Sequence, residues 1–348
     1  MAEIETLPEG IQKNTELKHL NTFGVEAKVQ YFFNVTSEQK LQELVRTLFF
    51  RDVVKPVRIL GGGSNVLITD DLKGLLLWVN LLGKYIESEN EKHVWLTVGA
   101  GENWHEFVQY AVSQNWGGVE NLSLIPGMVG AAPIQNIGAY GVELKEKFAW
   151  LRAVNLQTGD IEVFYPEDCD FGYRYSVFKG PLKDQYFVVS VTLQLDKEPV
   201  PRLEYKALQG ALEAEGVKDP DIKQISDMVC RIRQSKLPDP NQVGNSGSFF
   251  KNPVISLSAF EKLKADFPDV PFFDLGGEGI KIPAGWLIEK VGMKGVEWGN
   301  TGTWPKQALV IINRGGASGK EIFKFSRHIQ QKVQEKFGLW LENEVNIW

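Results

Sequence analysis

Cysteine is nearly absent from this 348-residue chain, which has Cys169 and Cys230 and no others. Two thiols can form neither a disulfide framework nor a cysteine-based zinc site. No long apolar run is present either. The longest, GLLLWVNLLG at residues 74–83, falls well short of the ~20 residues that a membrane span needs. Cations are not in excess: Lys and Arg number 38 against 44 Asp and Glu, a net charge of −6. Without a Lys/Arg block the chain has no footprint for nucleic acid, because phosphate neutralisation needs clustered cations. The first ten residues, MAEIETLPEG, lack the basic and apolar regions of a signal peptide. No internal repeat and no low-complexity segment is found. The expectation is a cytoplasmic enzyme, with neither nucleic-acid nor membrane partners. It is also expected to be monomeric, since no long exposed apolar helix stripe stands out.

The length suggests two or three domains. In residues 1–79, VQYFFNV is strand-like, and Thr36 with Gln39 has capping-box spacing. Leu41, Leu44, Val45, Leu48 and Phe49 then share one helical face, and PVRIL and GLLLWV read as further strands. In residues 80–237, Trp104, Phe107, Val108, Ala111 and Val112 repeat at helical spacing. LRAVNL and IEVFYP flank a hairpin signal, and Phe187, Val189, Val191, Leu193 and Leu195 alternate onto one strand face. Leu237-Pro238-Asp239-Pro240 is a stiff junction. Residues 238–337 add a helix from Ser258, a helical KIPAGWLIEKVG, a buried strand LVIIN and a long helix from Ser318. Residues 338–348, aromatic and strand-like, read as a docked tail joined to the second region.

Residues 61–65 (Gly61, Gly62, Gly63, Ser64 and Asn65) follow the PVRIL strand directly. Three glycines permit positive φ and close ligand approach. Successive N–H groups in such a loop can nest a pyrophosphate, although a plain turn uses glycine in the same way. Val66 stands where the Rossmann fingerprint needs its third glycine, and no Gly-Lys-Ser/Thr follows. Residues 314–321 imitate a P-loop without its first glycine or its Ser/Thr, and there Ser318 and Glu321 have capping-box spacing. Residues 125–141 are nine-seventeenths Gly, Ala or Pro, so another element or a flat cofactor ring presses on their backbone. Gln135, Asn136 and Tyr140 supply polar edges beside it.

Residues 244–253 set Ser246 and Ser248 between glycines, just before Phe249 and Phe250. A serine there can serve as nucleophile or proton donor. The G-x-S-x-G elbow is missing and no histidine is near, which leaves a serine hydrolase without support. His105 and His328 lie on helical patterns and read as solvated or core residues. Arg174 sits among Phe171, Tyr173 and Tyr175, either as a desolvated ligand for carboxylate or phosphate or as a structural arginine stacked on tyrosines. Glu342 and Glu344 share one face of a period-two pattern.

In this order the segments resemble the UDP-N-acetylenolpyruvoylglucosamine reductase family. The matching pieces are NTFG at residues 21–24, ILGGGSN, LSLIPGMVGAAPIQNIGAYG, FGYRYSVFK, KLPDP with GNSGSFFKNP, AGWLIEKVGMKG and the Glu344-Val345 ending. The resemblance implies an α+β fold. Its FAD-binding part would be of the vanillyl-alcohol-oxidase/p-cresol-methylhydroxylase type, in two subdomains (1–79, and 80–237 with 338–348), beside a smaller substrate-binding domain (238–337). It implies that FAD is held by Gly61, Gly62, Gly63, Ser64, Asn65, Pro126, Gly127, Gly130, Ala131, Gln135, Asn136, Gly138 and Tyr140. No metal is implied.

The implied reaction is reduction of UDP-N-acetylglucosamine enolpyruvate to UDP-N-acetylmuramate for peptidoglycan synthesis. NADPH donates a hydride to FAD, and the reduced flavin N5 passes it to the enolpyruvyl β-carbon. By resemblance Ser248 protonates the α-carbon, while Arg174 and Glu344 stabilise the enolate. The residue types suit that chemistry, since a fixed cation meets charge where it develops and a carbanion needs no activated histidine to be protonated. Tyr205, Lys236, Asn252 and Gln307 match substrate contacts, and Tyr205 as the family's mobile tyrosine would mark the longer subtype. Ser246 stands where many members have Ala, and Asn343 where Pro is common. The alternatives are an FAD-dependent oxidase of another alcohol or sugar, and a non-catalytic nucleotide-sugar binder.

Overall fold

The strand patterns near the start of the chain assemble a four-stranded sheet in the order Ile11–Glu16, Lys28–Val35, Leu72–Val79, Val57–Leu60. The structure is a computed structural model and describes residues 7–47, 49–50 and 54–348. Those residues fall into two units. Unit 1 is drawn from Met1–Thr15, Val29–Gly62 and Lys73–Ser235, and unit 2 from Glu16–Lys28, Gly63–Leu72 and Lys236–Trp348.

In unit 1, helix α1 (Glu38–Val45) buries Leu41, Leu44 and Val45 as its periodicity requires. Its cap is Ser37, one residue beyond the expected Thr36. Ser37 has extended backbone, and its hydroxyl accepts from Lys40 N at 3.4 Å. Leu48, expected on this face, lies outside the described residues. A five-stranded antiparallel sheet follows, ordered Ile161–Phe164, Phe148–Asn155, Tyr186–Asp196, His93–Gly99, Lys84–Glu89. The alternation in Tyr186–Asp196 suggests one buried face, yet both are buried because the strand is central. Thr192 is satisfied there by Thr97, Oγ1 to Oγ1 at 2.7 Å.

Helix α2 (Trp104–Ser113) buries all five residues of its apolar stripe and is capped by Asn103. Strands on either side of residue 79 contribute to one continuous core, which includes Leu75, Leu77, Val94 and Leu96. Helices α3 (Lys206–Ala214) and α4 (Ile222–Lys236) form a smaller core from Leu208, Leu212, Ile225, Met228 and Val229. Cys169 is fully buried, and burial pushes its thiol up to about 12. Cys230, on α4, is half-buried.

Unit 2 contains a sheet ordered Gly244–Ser248, Gln307–Asn313, Thr301–Trp304, Glu297–Trp298. Helix α5 (Leu257–Asp266) is capped by Ser256, which accepts from Ala259 N, rather than starting at Ser258. Helices α6 (Ala284–Lys290) and α7 (Gly319–Phe337) lie where expected. Ser318 caps α7, but the reciprocal half of the box is taken. Glu321 Oε1 accepts from Asn300 N at 2.8 Å instead.

The tail groups with unit 2, not with the second region. Its strand Asn346–Ile347 pairs in parallel with Val66–Leu67. Residues 341–345 are not strand, so Glu342 and Glu344 share no face. Glu342 is exposed and pairs with Lys251 at 3.1 Å, whereas Glu344 is half-buried. Among the described residues no helix is long and apolar enough to cross a membrane.

Candidate functional site

The glycine loop is tightly constrained at its centre. Gly63 has φ +63°, and a Cβ there would stand 2.0 Å from Leu20 O, so no other residue fits. Its carbonyl accepts from Thr22 N at 3.1 Å and Thr22 Oγ1 at 3.2 Å. Among the described residues the N–H groups of Gly62, Gly63 and Ser64 have no protein acceptor. A row of unspent amide donors is what an anion nest requires.

Gly61 and Gly62 face residues 125–141. A Cβ on Gly62 would lie 3.2 Å from Gly127 Cα, and one on Gly61 would touch Met128 and Ala131. The small residues of that run divide into two sets. Gly130 is buried, and a Cβ on it would meet Ala100 Cβ at 2.5 Å. Asn136 is fully buried, donating to Glu143 Oε2 and Gly172 O and accepting from Lys145 N. These two pack protein against protein, and both side-chain donors of Asn136 are engaged within the chain. Pro126, Gly127, Ala131, Gln135, Gly138 and Tyr140 are exposed or half-buried.

Arg174 occupies a four-residue turn closed by Gly172 and Tyr175, which exchange hydrogen bonds at 3.1 and 3.2 Å. Its φ of +53° is unfavourable for a side chain with a Cβ and holds only because the surroundings fix it. The turn is stitched to residues 125–141. Arg174 Nη2 donates to Gly138 O at 2.7 Å, and Ser176 Oγ donates to Ile134 O at 2.6 Å. The guanidinium also lies over the Tyr173 ring.

Arg233, on α4, was not singled out from the sequence. It donates from Nε to Leu124 O at 3.2 Å and lies near Tyr140. Burial, with a contribution from nearby Arg174, lowers its pKa, and no described carboxylate pairs with it. Two neighbouring guanidiniums of which one lacks a counter-charge gain from a bound anion. The available signal was helical: Arg233 lies four residues after buried Val229 and eight after buried Ile225, so a charge falls on an apolar face. Burial also raises the Tyr140 pKa, and the Tyr140 ring packs edge-on against Tyr205, itself 42% exposed. His105 is structural, as expected. Its Nδ1 accepts from Leu124 N at 3.0 Å, and its pKa is lowered by burial and by Arg233.

Ser248 ends a bulged strand whose register slips between Asn245 and Ser248. Gly247, at φ +64°, donates to Asn245 Oδ1 at 2.9 Å, and Asn245 Nδ2 holds Pro238 O and Val243 O. Phe249 and Phe250 are fully buried, each worth ~1.5–3 kcal/mol, more than any one of those hydrogen bonds. They anchor Ser248, which is half-buried and whose Oγ has no hydrogen-bond partner among the described residues. Ser246 is buried with its Oγ 3.4 Å from Thr22 Oγ1, which separates the two serines. Glu344 N donates to Phe249 O at 2.8 Å, so Glu344 and Ser248 share a backbone junction. Asn252 Oδ1 accepts from Ala284 N, and Gln307 Oε1 would lie 3.2 Å from a Cβ on Gly285, which puts both at the start of α6. Lys236 is exposed at the end of α4.

Two proteins called UDP-N-acetylenolpyruvoylglucosamine reductase are similar over nearly their whole lengths. That of Flavobacterium johnsoniae is 44% identical over 338 residues, 97% of this chain and 99% of the relative. That of Amoebophilus asiaticus is 45% identical over 337 residues, again 97% and 99%. The chain belongs to the UDP-N-acetylenolpyruvoylglucosamine reductase family. It is therefore a flavin oxidoreductase. Residues 239–348 match the description "UDP-N-acetylenolpyruvoylglucosamine reductase, C-terminal domain", and residues 29–164 match "FAD binding domain". A solved reductase of this family from Thermus caldophilus superposes with a TM-score of 0.67 at 25% identity, covering 97% of this chain and 99% of that one. The C-terminal match begins at Asp239, inside the Pro238–Pro240 junction. The expected α+β class, with an FAD-binding part and a C-terminal domain, agrees with these matches.

Proposed function

We propose that this reductase converts UDP-N-acetylglucosamine enolpyruvate to UDP-N-acetylmuramate, with FAD as resident cofactor and NADPH as hydride source. The observation that carries the reading is the backbone junction of Ser248 with Glu344: both residues are half-buried, and Glu344 N is tied to the carbonyl of Phe249, the residue after Ser248.

The residues present fit FAD. The unspent N–H groups of Gly62, Gly63 and Ser64 suit a pyrophosphate, and the approach of Gly62 to Gly127 leaves no Cβ in the way of a flat group. Gly61 to Asn65, with Pro126, Gly127, Ala131, Gln135, Gly138 and Tyr140, would hold it. When bound it supplies the hydride-carrying chemistry. Everything else falls to the chain's own side chains. Arg174 stabilises the charge that develops on the substrate carboxylate, and its strained, stitched turn costs no reorganisation when that charge appears. Ser248 Oγ gives its proton to the α-carbon and recovers one from solvent. Glu344 stabilises the enolate together with Arg174. Tyr205, Lys236, Asn252 and Gln307 bind the sugar nucleotide. The reading also expects a cytoplasmic monomer, which light scattering on the purified protein tests.

The experiment is anaerobic stopped-flow absorbance at the flavin band. NADPH should bleach it, and UDP-N-acetylglucosamine enolpyruvate should restore it. Bleaching without recovery would keep the flavin reductase and reject the substrate. A holoenzyme that NADPH cannot bleach would reject the hydride source.

A further inference from the structure

Asn65 closes the glycine loop, yet its hydrogen bonds run to the tail. Its Nδ2 donates to Glu344 O at 3.3 Å. Its own carbonyl accepts from both Asn346 N, at 3.1 Å, and Asn346 Nδ2, at 3.0 Å. The pairing continues beyond it, with Trp348 N donating to Leu67 O at 2.9 Å. Thr69 N and Oγ1 donate to Trp348 O at 2.8 and 2.6 Å. On the other side Glu344 N is tied to Phe249 O. Both main-chain polar groups of Glu344 are thus fixed, one by the residue after Ser248 and one by the last residue of the loop.

We propose that the Asn65–Asn346 clamp positions Glu344, and that cofactor occupancy of the loop is coupled to docking of residues 346–348. The proposal rests on the reading of Glu344 given above. A carboxyl on an undocked tail samples many orientations, and only a fraction serve the enolate. A ligand that orders the loop orders Asn65, and with it the acceptor on which the tail is built. Linkage makes the effect reciprocal: the docked tail must tighten the cofactor by the same factor by which the cofactor tightens the tail.

Hydrogen exchange at the amides of Asn346 and Trp348, in apoprotein and FAD-loaded protein, reads the coupling directly. Exchange should slow about tenfold on loading, and deletion of residues 346–348 should weaken FAD affinity by a similar factor, the worth of one or two hydrogen bonds. Equal exchange rates, or an unchanged affinity in the deletion, would overturn the coupling. Positioning is read by Asn346→Ala, an exposed residue whose loss removes one donor. Flavin reduction by NADPH should be unchanged, and reoxidation by the enolpyruvyl substrate should slow about threefold to tenfold. The same change made on top of Glu344→Ala should add nothing, whereas additivity would overturn the positioning role. If Glu344→Ala alone leaves reoxidation intact, the catalytic reading of Glu344 fails and positioning falls with it, while the exchange and affinity results still decide the coupling.

Discussion

Arg174 and Ser248 are both half-buried, and the chain secures them by opposite means. Arg174 is made locally: a turn from Gly172 to Tyr175 forces its backbone, and bonds to residues about forty positions away tie the turn down. Ser248 is made at a distance. Its strand leans on Val310, its neighbours on Thr22, and its junction on Glu344. Local devices survive damage elsewhere, while remote ones fail with any of their supports. The two residues should therefore respond differently to conservative change.

The largest expected effect is at the remote residue. Ser248→Ala should slow flavin reoxidation by the enolpyruvyl substrate by at least ~10²–10⁴, the worth of a positioned acid, while flavin reduction by NADPH persists in stopped flow. Equal loss in both half-reactions would mean misfolding or lost cofactor. Next is Arg174→Lys, which keeps the charge but loses the fork that reaches Gly138 O. Reoxidation should fall about 10²-fold, with thermal unfolding little changed because the turn is closed by backbone bonds. A large fall in Tm would show that the guanidinium holds the turn rather than serves the reaction.

A smaller effect is expected for Ser246→Ala, which removes the contact to Thr22. Stability should drop by ~0.5–1.5 kcal/mol in urea titrations, with turnover unaffected. Lost turnover would mean that the wrong serine has been chosen. The smallest concerns His105. Its folded pKa is lowered, so the unfolded chain binds the proton more readily, and stability present above pH ~6.5 is lost as pH falls below that value. Titrations at pH 7.5 and 5.5 should show a loss of ~1 kcal/mol or less that His105→Gln abolishes, since protonated Nδ1 cannot accept from Leu124 N.

The same contrast governs what can be read in the sequence. The α2 stripe, the Ser318 cap and Arg174 among its aromatics all follow from spacing, because the physics acts within a few residues. Ser37 and Ser256 displaced the expected caps since neighbouring Ser and Thr compete for one geometry and only the backbone torsion decides. The side chain of Asn136 is engaged by Glu143, Lys145 and Gly172, the last 36 positions away, which no local spacing announces. The Asn65–Asn346 clamp joins residues 281 positions apart. No local rule anticipates it. Arg233 was open to detection, since a charge on the buried side of a helix is a departure from pattern that spacing alone reveals.

The unequal burial of the two cysteines has a practical consequence for following this enzyme at work. With its thiol held near 12, Cys169 is about one part in ten thousand thiolate at pH 8 and inert to alkylating dyes. Cys230 lies one helical turn before Arg233, and burial raises its pKa less. A maleimide fluorophore would therefore label the unmodified chain at a single position beside Arg233 and Tyr140, reporting anion binding there without a single engineered residue.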